Sequence, residues 1–408
     1  MIRNIIVGQS GGPTAVINAS LAGVYQTGKD LGVKKVYGMC HGIQGFLERK
    51  IVDMDELLGS DINVELLKRT PSAYLGSCRY KLPEIRNNIE MYDTIFDILE
   101  EYEIDAFFYI GGNDSMDTIK KLSDYAILKG SDIRFIGVPK TIDNDLAVTD
   151  HTPGFGSAAK YLASITKELI RDGLVYDIKS ATVIEVMGRN AGWLTGATAL
   201  AKGEDCEGID LIYLPEVTFD VEKFVAKVGE LFEQKKSVVI AVSEGVTTKD
   251  GRYVFELGEH TEYVDAFGHK LLSGTARYLS SLLAAKYGCK TRSIELSSLQ
   301  RCAGHMTSRV DVTEAYQVGG SAVKAAFEGD TGKMVTLDRV SNDPYICTTG
   351  LYDIHKIANI EKKVPLEWII NDGTYVSQEM INYIKPLIQA ELTPIMINGQ
   401  PRHIVMGM

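Results

Sequence analysis

Between Lys140 and Asp145, the run Pro139-Lys140-Thr141-Ile142-Asp143-Asn144-Asp145 gathers one ammonium, one hydroxyl and two carboxylates. In an extended segment Lys140 and Ile142 point one way, Thr141 and Asp143 the other. A carboxylate so placed can accept a proton from a hydroxyl while the ammonium neutralises a phosphoryl group. That is the division of labour phosphoryl transfer requires. The same residues also suit a solvated surface loop, so the loop alone leaves both readings open.

Two glycine turns have related chemistry. Gly8-Gln9-Ser10-Gly11-Gly12-Pro13-Thr14 lets a backbone approach a ligand closely, and a following helix start would favour an anion. Ile110-Gly111-Gly112-Asn113-Asp114-Ser115 repeats the arrangement. Ser115 is placed to cap a helix there, and Asn113 and Asp114 offer oxygens to Mg²⁺ or its water shell. Asn and Asp are equally ordinary turn residues, and Asp114 would repel a phosphate at the same helix start unless a cation intervened. Further along stand Glu185-Val186-Met187-Gly188-Arg189, Ser243-Glu244-Gly245 and the cations Arg79, Arg292 and Arg301. Arg holds phosphate with a fork of donors, although a scattered Arg is more often a surface residue.

These groups need elements to hold them. Apolar runs such as Ile2–Val7, Asp105–Ile110, Ile133–Val138, Thr182–Val186 and Val238–Val242 read as strands. Helical spacing lies between them at Ala15–Leu31, Ser115–Leu128, Phe155–Arg171 and Val221–Gln234. The alternation predicts parallel sheets covered on both faces, with ligands at the carboxyl ends of the strands. A domain boundary is expected near residues 150–157, and residues 331–408 look like an appended region of short elements.

The 408 residues carry a formal charge of −11 and 45% hydrophobic residues. That apolar content excludes disorder as the main state, and the length predicts two domains at about 100–200 residues each. An acidic balance argues against a general nucleic-acid binder. No run approaches the ~18 apolar residues of a membrane helix, and the N-terminal run reads as a first strand, not a secretory signal. Six cysteines without a CxxC pair read as reduced thiols in a cytoplasmic protein, with no structural zinc site visible.

Taken in order, Ser10–Gly12 with Asn18-Ala19, Leu75–Arg79, Gly111–Ser115, Pro139–Asp145, Glu185–Arg189 and Ser243–Gly245 resemble the phosphofructokinase family, specifically its pyrophosphate-dependent branch. The resemblance spans roughly the first three quarters of the chain, and the PKTIDND run is its most specific piece. It implies an α/β fold of two Rossmann-like three-layer α/β/α domains with mainly parallel sheets, plus a C-terminal extension. The expected domains are 1–154 on the phosphoryl-donor side, completed by part of 300–350; 155–299 on the sugar-phosphate side; and the extension 331–408.

The resemblance further implies reversible, Mg²⁺-dependent phosphoryl transfer from pyrophosphate to the 1-hydroxyl of fructose 6-phosphate. Asp143 is then the general base, supported by Thr141 and Asp145. Gly11 offers its backbone N–H to the donor phosphate, with Gly12, Arg79, Gly112 and Ser115 also on the donor, and Asn113 stands at the metal position. Met187, Gly188 and Arg189 line the sugar and transition-state site, Glu244 binds sugar hydroxyls, and Arg301 holds the 6-phosphate, with Arg292 reaching it from a neighbouring subunit. Asp114 and Lys140 replace glycines of ATP-dependent members. Asp114 puts charge and bulk where a nucleotide α-phosphate would lie, and Lys140 supplies positive charge for the leaving phosphate.

Asn113, Ser180 and Ser298 depart from the usual Asp, Arg and His of the family. The alternatives are an ATP-dependent enzyme of the same fold and a non-catalytic sensor of phosphorylated metabolites. A homodimer or homotetramer is expected, with sites near subunit interfaces.

Overall fold

The segment Ile104–Gly111 forms a strand whose apolar run has no polar alternation, because both of its faces are buried. Ala106, Phe108 and Ile110 enter one core, Phe107 and Tyr109 the other, as the two-residue period of a strand dictates. The second face is aromatic: Phe107 lies 5.5 Å from Phe135 and 5.9 Å from Tyr109, ring centre to ring centre.

The computed structural model describes residues 2–258 and 272–406. In chain order the main strands are β1 (Asn4–Gln9), β2 (Lys35–Met39), β3 (Ile51–Asp53), β4 (Ile104–Gly111), β5 (Arg134–Pro139), β6 (Ser180–Val186), β7 (Leu211–Tyr213), β8 (Ser237–Ser243), β9 (Lys290–Glu295), β10 (Lys333–Asn342) and β11 (Tyr345–Asp353). The chain divides into two units, one of 1–157, 301–361 and 389–408, the other of 158–300 and 362–388.

The first unit carries a seven-stranded sheet in the order β11-β10-β5-β4-β1-β2-β3. Its central strands β2, β1, β4, β5 and β10 are parallel, with β3 and β11 antiparallel at the two edges. The strand order reverses between β1 and β4, and a crevice at the carboxyl ends of such a pair is where open α/β sheets take ligands. Helix Ile17–Asp30 packs on helix Arg309–Phe327 at backbone distance. A Cβ on Gly23 would lie 2.1 Å from the Tyr316 carbonyl oxygen, and one on Gly319 2.1 Å from that of Ser20.

The second unit has four parallel strands in the order β7-β8-β6-β9. One face is covered by Phe224, Val228 and Phe232 of helix Val221–Gln234 and by Leu279 and Leu283 of helix Thr275–Tyr287.

Residues 331–408 are distributed over both units. β10 and β11 complete the first sheet, while Trp368 and Tyr383 pack around Trp193 in the second unit at 6.0 and 5.2 Å. Among the described residues no helix is long and apolar enough to cross a membrane.

Candidate active site

Three strand ends of the first unit meet at the point where its sheet reverses direction. β1 runs out through Gln9 into Gly11-Gly12, β4 into Gly112, and β5 through Pro139 into Lys140. Backbone bonds tie the three together: Ser10 N–H to the Ile110 carbonyl at 2.9 Å, and Lys140 N–H to that of Gly111 at 3.0 Å. The two glycine turns therefore face the carboxylate loop. A Cβ on Gly12 would lie 3.2 Å from Arg301 Nη1, one on Gly11 3.5 Å from Lys140 Nζ, and one on Gly112 4.0 Å from Thr141 Cβ.

Lys140 is 2% exposed, and its ammonium donates to the Gly12 carbonyl oxygen at 2.6 Å. Burial pushes its pKa down to about 8. The charges of Asp143 and Asp145 oppose that shift, and those of Arg301 and Arg79 add to it. An ammonium so buried is a strong local field for an anion, because little water screens it. From Thr141 to Leu146 the loop alternates: Thr141, Asp143 and Asp145 are half-buried, whereas Ile142, Asn144 and Leu146 are buried. Asp143 N–H donates to Thr141 Oγ1 at 3.0 Å, closing a tight turn.

The buried side of the loop is braced by Asn144, to which the sequence reading gave no role. Asn144 has φ +54°, a left-handed conformation that Asn tolerates better than most residues. Its Oδ1 accepts the Thr152 N–H at 3.1 Å, and Thr152 Oγ1 donates to the Thr141 carbonyl at 2.9 Å. That second loop is pinned in turn by Asp311, whose carboxylate accepts the N–H groups of Gly154 and Ser157, both at 2.8 Å. Burial raises Asp311 to about 6 despite those bonds. The Asn-Asp pairing in the loop signals a turn, but Asp311 lies too far along the chain for spacing to reveal it.

The turn after β4 differs from expectation at two points. Helix Asn113–Lys129 starts earlier than Ser115, and its N-cap is Gly112 with no side-chain cap bond. Ser115 is therefore not the cap. It sits in the first turn, where its Oγ would be 1.9 Å from a Cβ on Gly111, which is why that position needs glycine. Asp114 faces Lys81 at 3.9 Å, with both side chains part-exposed. Lys81, two residues past Arg79, is a cation that the sequence reading passed over.

At the first turn, helix Ile17–Asp30 opens only at Ile17, so the Gly11-Gly12 turn stands clear of any helix start. The Gly11 N–H is taken by the Cys78 carbonyl at 3.1 Å, and Ser77 Oγ donates to the Gly11 carbonyl at 2.6 Å. That amide is engaged within the protein rather than offered to a donor phosphate.

For Mg²⁺, the telling residue is Asn113. Both atoms of its amide are buried and have no hydrogen-bond partner among the described residues. A buried amide left unpaired is costly, and its oxygen is a hard donor of the kind Mg²⁺ takes. The residues fit the ion with one neutral ligand.

In the second unit, β6 and β8 bring two more predicted segments together. Gly188 N–H donates to Glu244 Oε1 at 3.3 Å, and Ser243 Oγ donates to the Gly188 carbonyl at 2.6 Å. Gly188 has φ +130°, and a Cβ on Gly245 would collide with the Arg189 carbonyl at 1.8 Å. Met187 N–H donates to Gln300 Oε1 at 3.2 Å, a contact with no sequence signal. Glu185, raised to about 7 by burial, accepts the Ala276 N–H at 2.8 Å at the start of helix Thr275–Tyr287. Arg292 is held apart from this group. It lies mid-strand opposite Thr182, 3.6 Å from Asp172 and over the ring of Tyr176.

The comparisons with known proteins agree with this architecture. Residues 4–326 match the family model described as phosphofructokinase. The chain belongs to the phosphofructokinase family. Within it, this chain is 38% identical over 404 residues to the pyrophosphate--fructose 6-phosphate 1-phosphotransferase of Halomonas elongata, covering 98% of this chain and 95% of the other. The enzyme of the same name from Methylococcus capsulatus is 37% identical, over 99% and 96%. Among solved structures, the pyrophosphate-dependent phosphofructokinase of Nitrosospira multiformis superposes with a TM-score of 0.89 at 36% identity, over 98% and 96%. This member of the phosphofructokinase family thus has relatives along its whole length, and its last 80 or so residues are part of the shared fold.

Proposed function

We propose that this chain transfers a phosphoryl group from pyrophosphate to the 1-hydroxyl of fructose 6-phosphate, reversibly, giving fructose 1,6-bisphosphate and phosphate. The observation that supports the donor assignment is the buried ammonium of Lys140, bonded to the Gly12 carbonyl with Arg301 and Arg79 acting on it. A compact, highly charged donor suits such a concentration of cationic charge. Asp143 takes the proton of the 1-hydroxyl as the oxygen attacks phosphorus. Thr141 and Asp145 orient the acceptor, and Lys140 stabilises charge on the departing phosphate. Arg79, Ser115, Gly12 and Gly112 form the donor side, where the glycines leave room for phosphate oxygens. Gly11 contributes by that same absence of a side chain, and Asp114 excludes a nucleotide α-phosphate.

Met187, Gly188, Arg189 and Glu244 recognise the sugar, with Arg301 on its phosphate and Arg292 reaching that phosphate from a neighbouring subunit. Asn113 would hold Mg²⁺, which when bound neutralises charge on the transferring group. The enzyme works in the cytoplasm, with its six cysteines in no disulfide, as a homodimer or homotetramer.

The test is formation of fructose 1,6-bisphosphate from fructose 6-phosphate and Mg²⁺ with pyrophosphate and ATP in parallel. Turnover with pyrophosphate alone is expected. Turnover with ATP alone would overturn the donor assignment while leaving Asp143 as base.

A further inference from the structure

In the first unit, behind the catalytic loop, His151 is 1% exposed and held at both ring nitrogens. Nδ1 lies 2.7 Å from Asp150 Oδ2, and Nε2 2.7 Å from Glu314 Oε2. Cys347 Sγ completes the group, so that an imidazole nitrogen, a carboxylate oxygen and a thiol sulfur lie within 4.8 Å of one another. We infer that His151, Glu314 and Cys347 form a site for a thiophilic divalent cation of the Zn²⁺ class, separate from the Mg²⁺ used in turnover.

Three features carry this beyond a chance cluster. The first is the ligand set: nitrogen, oxygen and sulfur are what Zn²⁺ takes, with three protein ligands and a fourth position left for water. The second is the outer layer. Asp150 fixes the far nitrogen of His151 and is itself held by Arg339 at 2.8 Å, while Tyr345 donates its hydroxyl to Glu314 Oε1 at 2.6 Å. Carboxylate-oriented histidines and hydrogen-bonded carboxylates are the supports metal ligands need. The third is access. A groove of about 440 Å³, lined by Tyr316, Ser321, Lys324, Cys347 and Thr349 among others, reaches Cys347, the least buried of the three, while His151 and Glu314 lie behind its wall.

Charge balances in both states. With an ionised carboxylate at each ring nitrogen, His151 would donate on both sides as an imidazolium. Asp150 and Glu314 then cancel His151 and Arg339. The cation replaces the proton on Nε2 and the proton of the thiol, two positive charges for two, and the cluster stays neutral. Zn²⁺ needs its ligand atoms about 3–4 Å apart. His151 and Glu314 therefore separate as their shared proton leaves, and Cys347 closes in. Cys347 lies on β11, an edge strand, which is freer to move than a central one. Because Thr152 follows His151 and holds Thr141 and Asn144, the cation would fix the loop that carries Asp143.

The experiment uses the full-length chain, stripped by chelator and titrated with Co²⁺ and Zn²⁺ in excess Mg²⁺. One equivalent should bind, with a thiolate-to-cobalt charge-transfer band and a raised Tm with Zn²⁺. Cys347→Ser should abolish the band, and Tyr345→Phe should weaken binding on the order of tenfold or more. Cys302→Ser, which removes an exposed thiol, should change neither. The proposal fails if no band appears, if Cys347→Ser keeps it, or if Cys302→Ser removes it.

Discussion

The ammonium of Lys140 and the carbonyl oxygen of Gly12, 128 positions apart in the chain, are joined by a 2.6 Å hydrogen bond. It ties the carboxylate loop after β5 to the glycine turn after β1. With burial holding Lys140 at about 8, its charge is full below that pH and is lost above it. Activity that depends on the ammonium should follow: kcat/KM for pyrophosphate should fall above pH 8 in proportion to the lost charge. Lys140→Arg, which stays charged, should move that inflection beyond pH 10 whatever its absolute rate. An unmoved inflection would assign it to another group.

The same burial is a stability cost. An unfolded lysine titrates near 10.4, so the folded state binds its proton less tightly. Stability is therefore lowered in full below pH 8 and recovers as pH rises from 8 toward 10.5. Lys140→Met removes that penalty, so its unfolding free energy relative to the parent should be about 3 kcal/mol more favourable at pH 7 than at pH 10, with the orphaned Gly12 carbonyl costing about 1–3 kcal/mol at both, while most activity is lost. Urea unfolding at the two pH values measures this, and equal gains would contradict it.

Asp143→Ala should lower kcat by several powers of ten with the far-ultraviolet circular dichroism unchanged, since the proposed base is lost from a half-buried position. Steady-state kinetics with pyrophosphate saturating are the check. A rate within tenfold of the parent would remove Asp143 from the role of base.

Thr152→Val keeps the shape of the brace but removes the hydroxyl bonded to the Thr141 carbonyl. The orphaned carbonyl should cost about 1–3 kcal/mol. If the brace aims the loop, kcat should fall roughly tenfold with KM for both substrates nearly constant. A loss of stability with unchanged kcat would make Thr152 purely structural.

Asn113→Asp replaces a buried amide that lacks a partner with a carboxylate. The Mg²⁺ concentration for half-maximal rate should drop several-fold, because a carboxylate binds the ion more strongly than a neutral amide. A Mg²⁺ titration of rate measures it, and no change would move the ion away from this residue.

Much of this was legible along the chain. The two-sided burial of β4 follows from its unbroken apolar run, and burial alternates from Thr141 to Leu146 even though the loop is a turn with Asn144 left-handed rather than an extended segment. What escaped were contacts made by topology. Asp311 reaches Gly154 and Ser157 across 157 and 154 positions. Lys81 meets Asp114 only because the segment after Arg79 returns past helix Asn113–Lys129. Ser115 was misread as a cap because Ser is a strong capping residue, whereas Gly112 occupies that position. β10 and β11 lacked a clear signature because the outer half of β10 and most of β11 are only part-buried, so burial imposes no strict apolar pattern there.

The discontinuous first unit has a consequence for synthesis. β5 is complete at Pro139, but its sheet neighbour β10 begins at Lys333, after all four strands of the second unit's parallel sheet. At about 5–20 residues per second of translation, the nascent chain spends on the order of ten to forty seconds with the β5 edge open. Helix Arg309–Phe327, which seals the glycine contact with Ile17–Asp30, arrives equally late. During that interval an apolar parallel strand presents unpaired backbone groups, a template for pairing with another nascent chain. Slower initiation or a holding chaperone should therefore raise the yield of this protein more than any change to its finished surface.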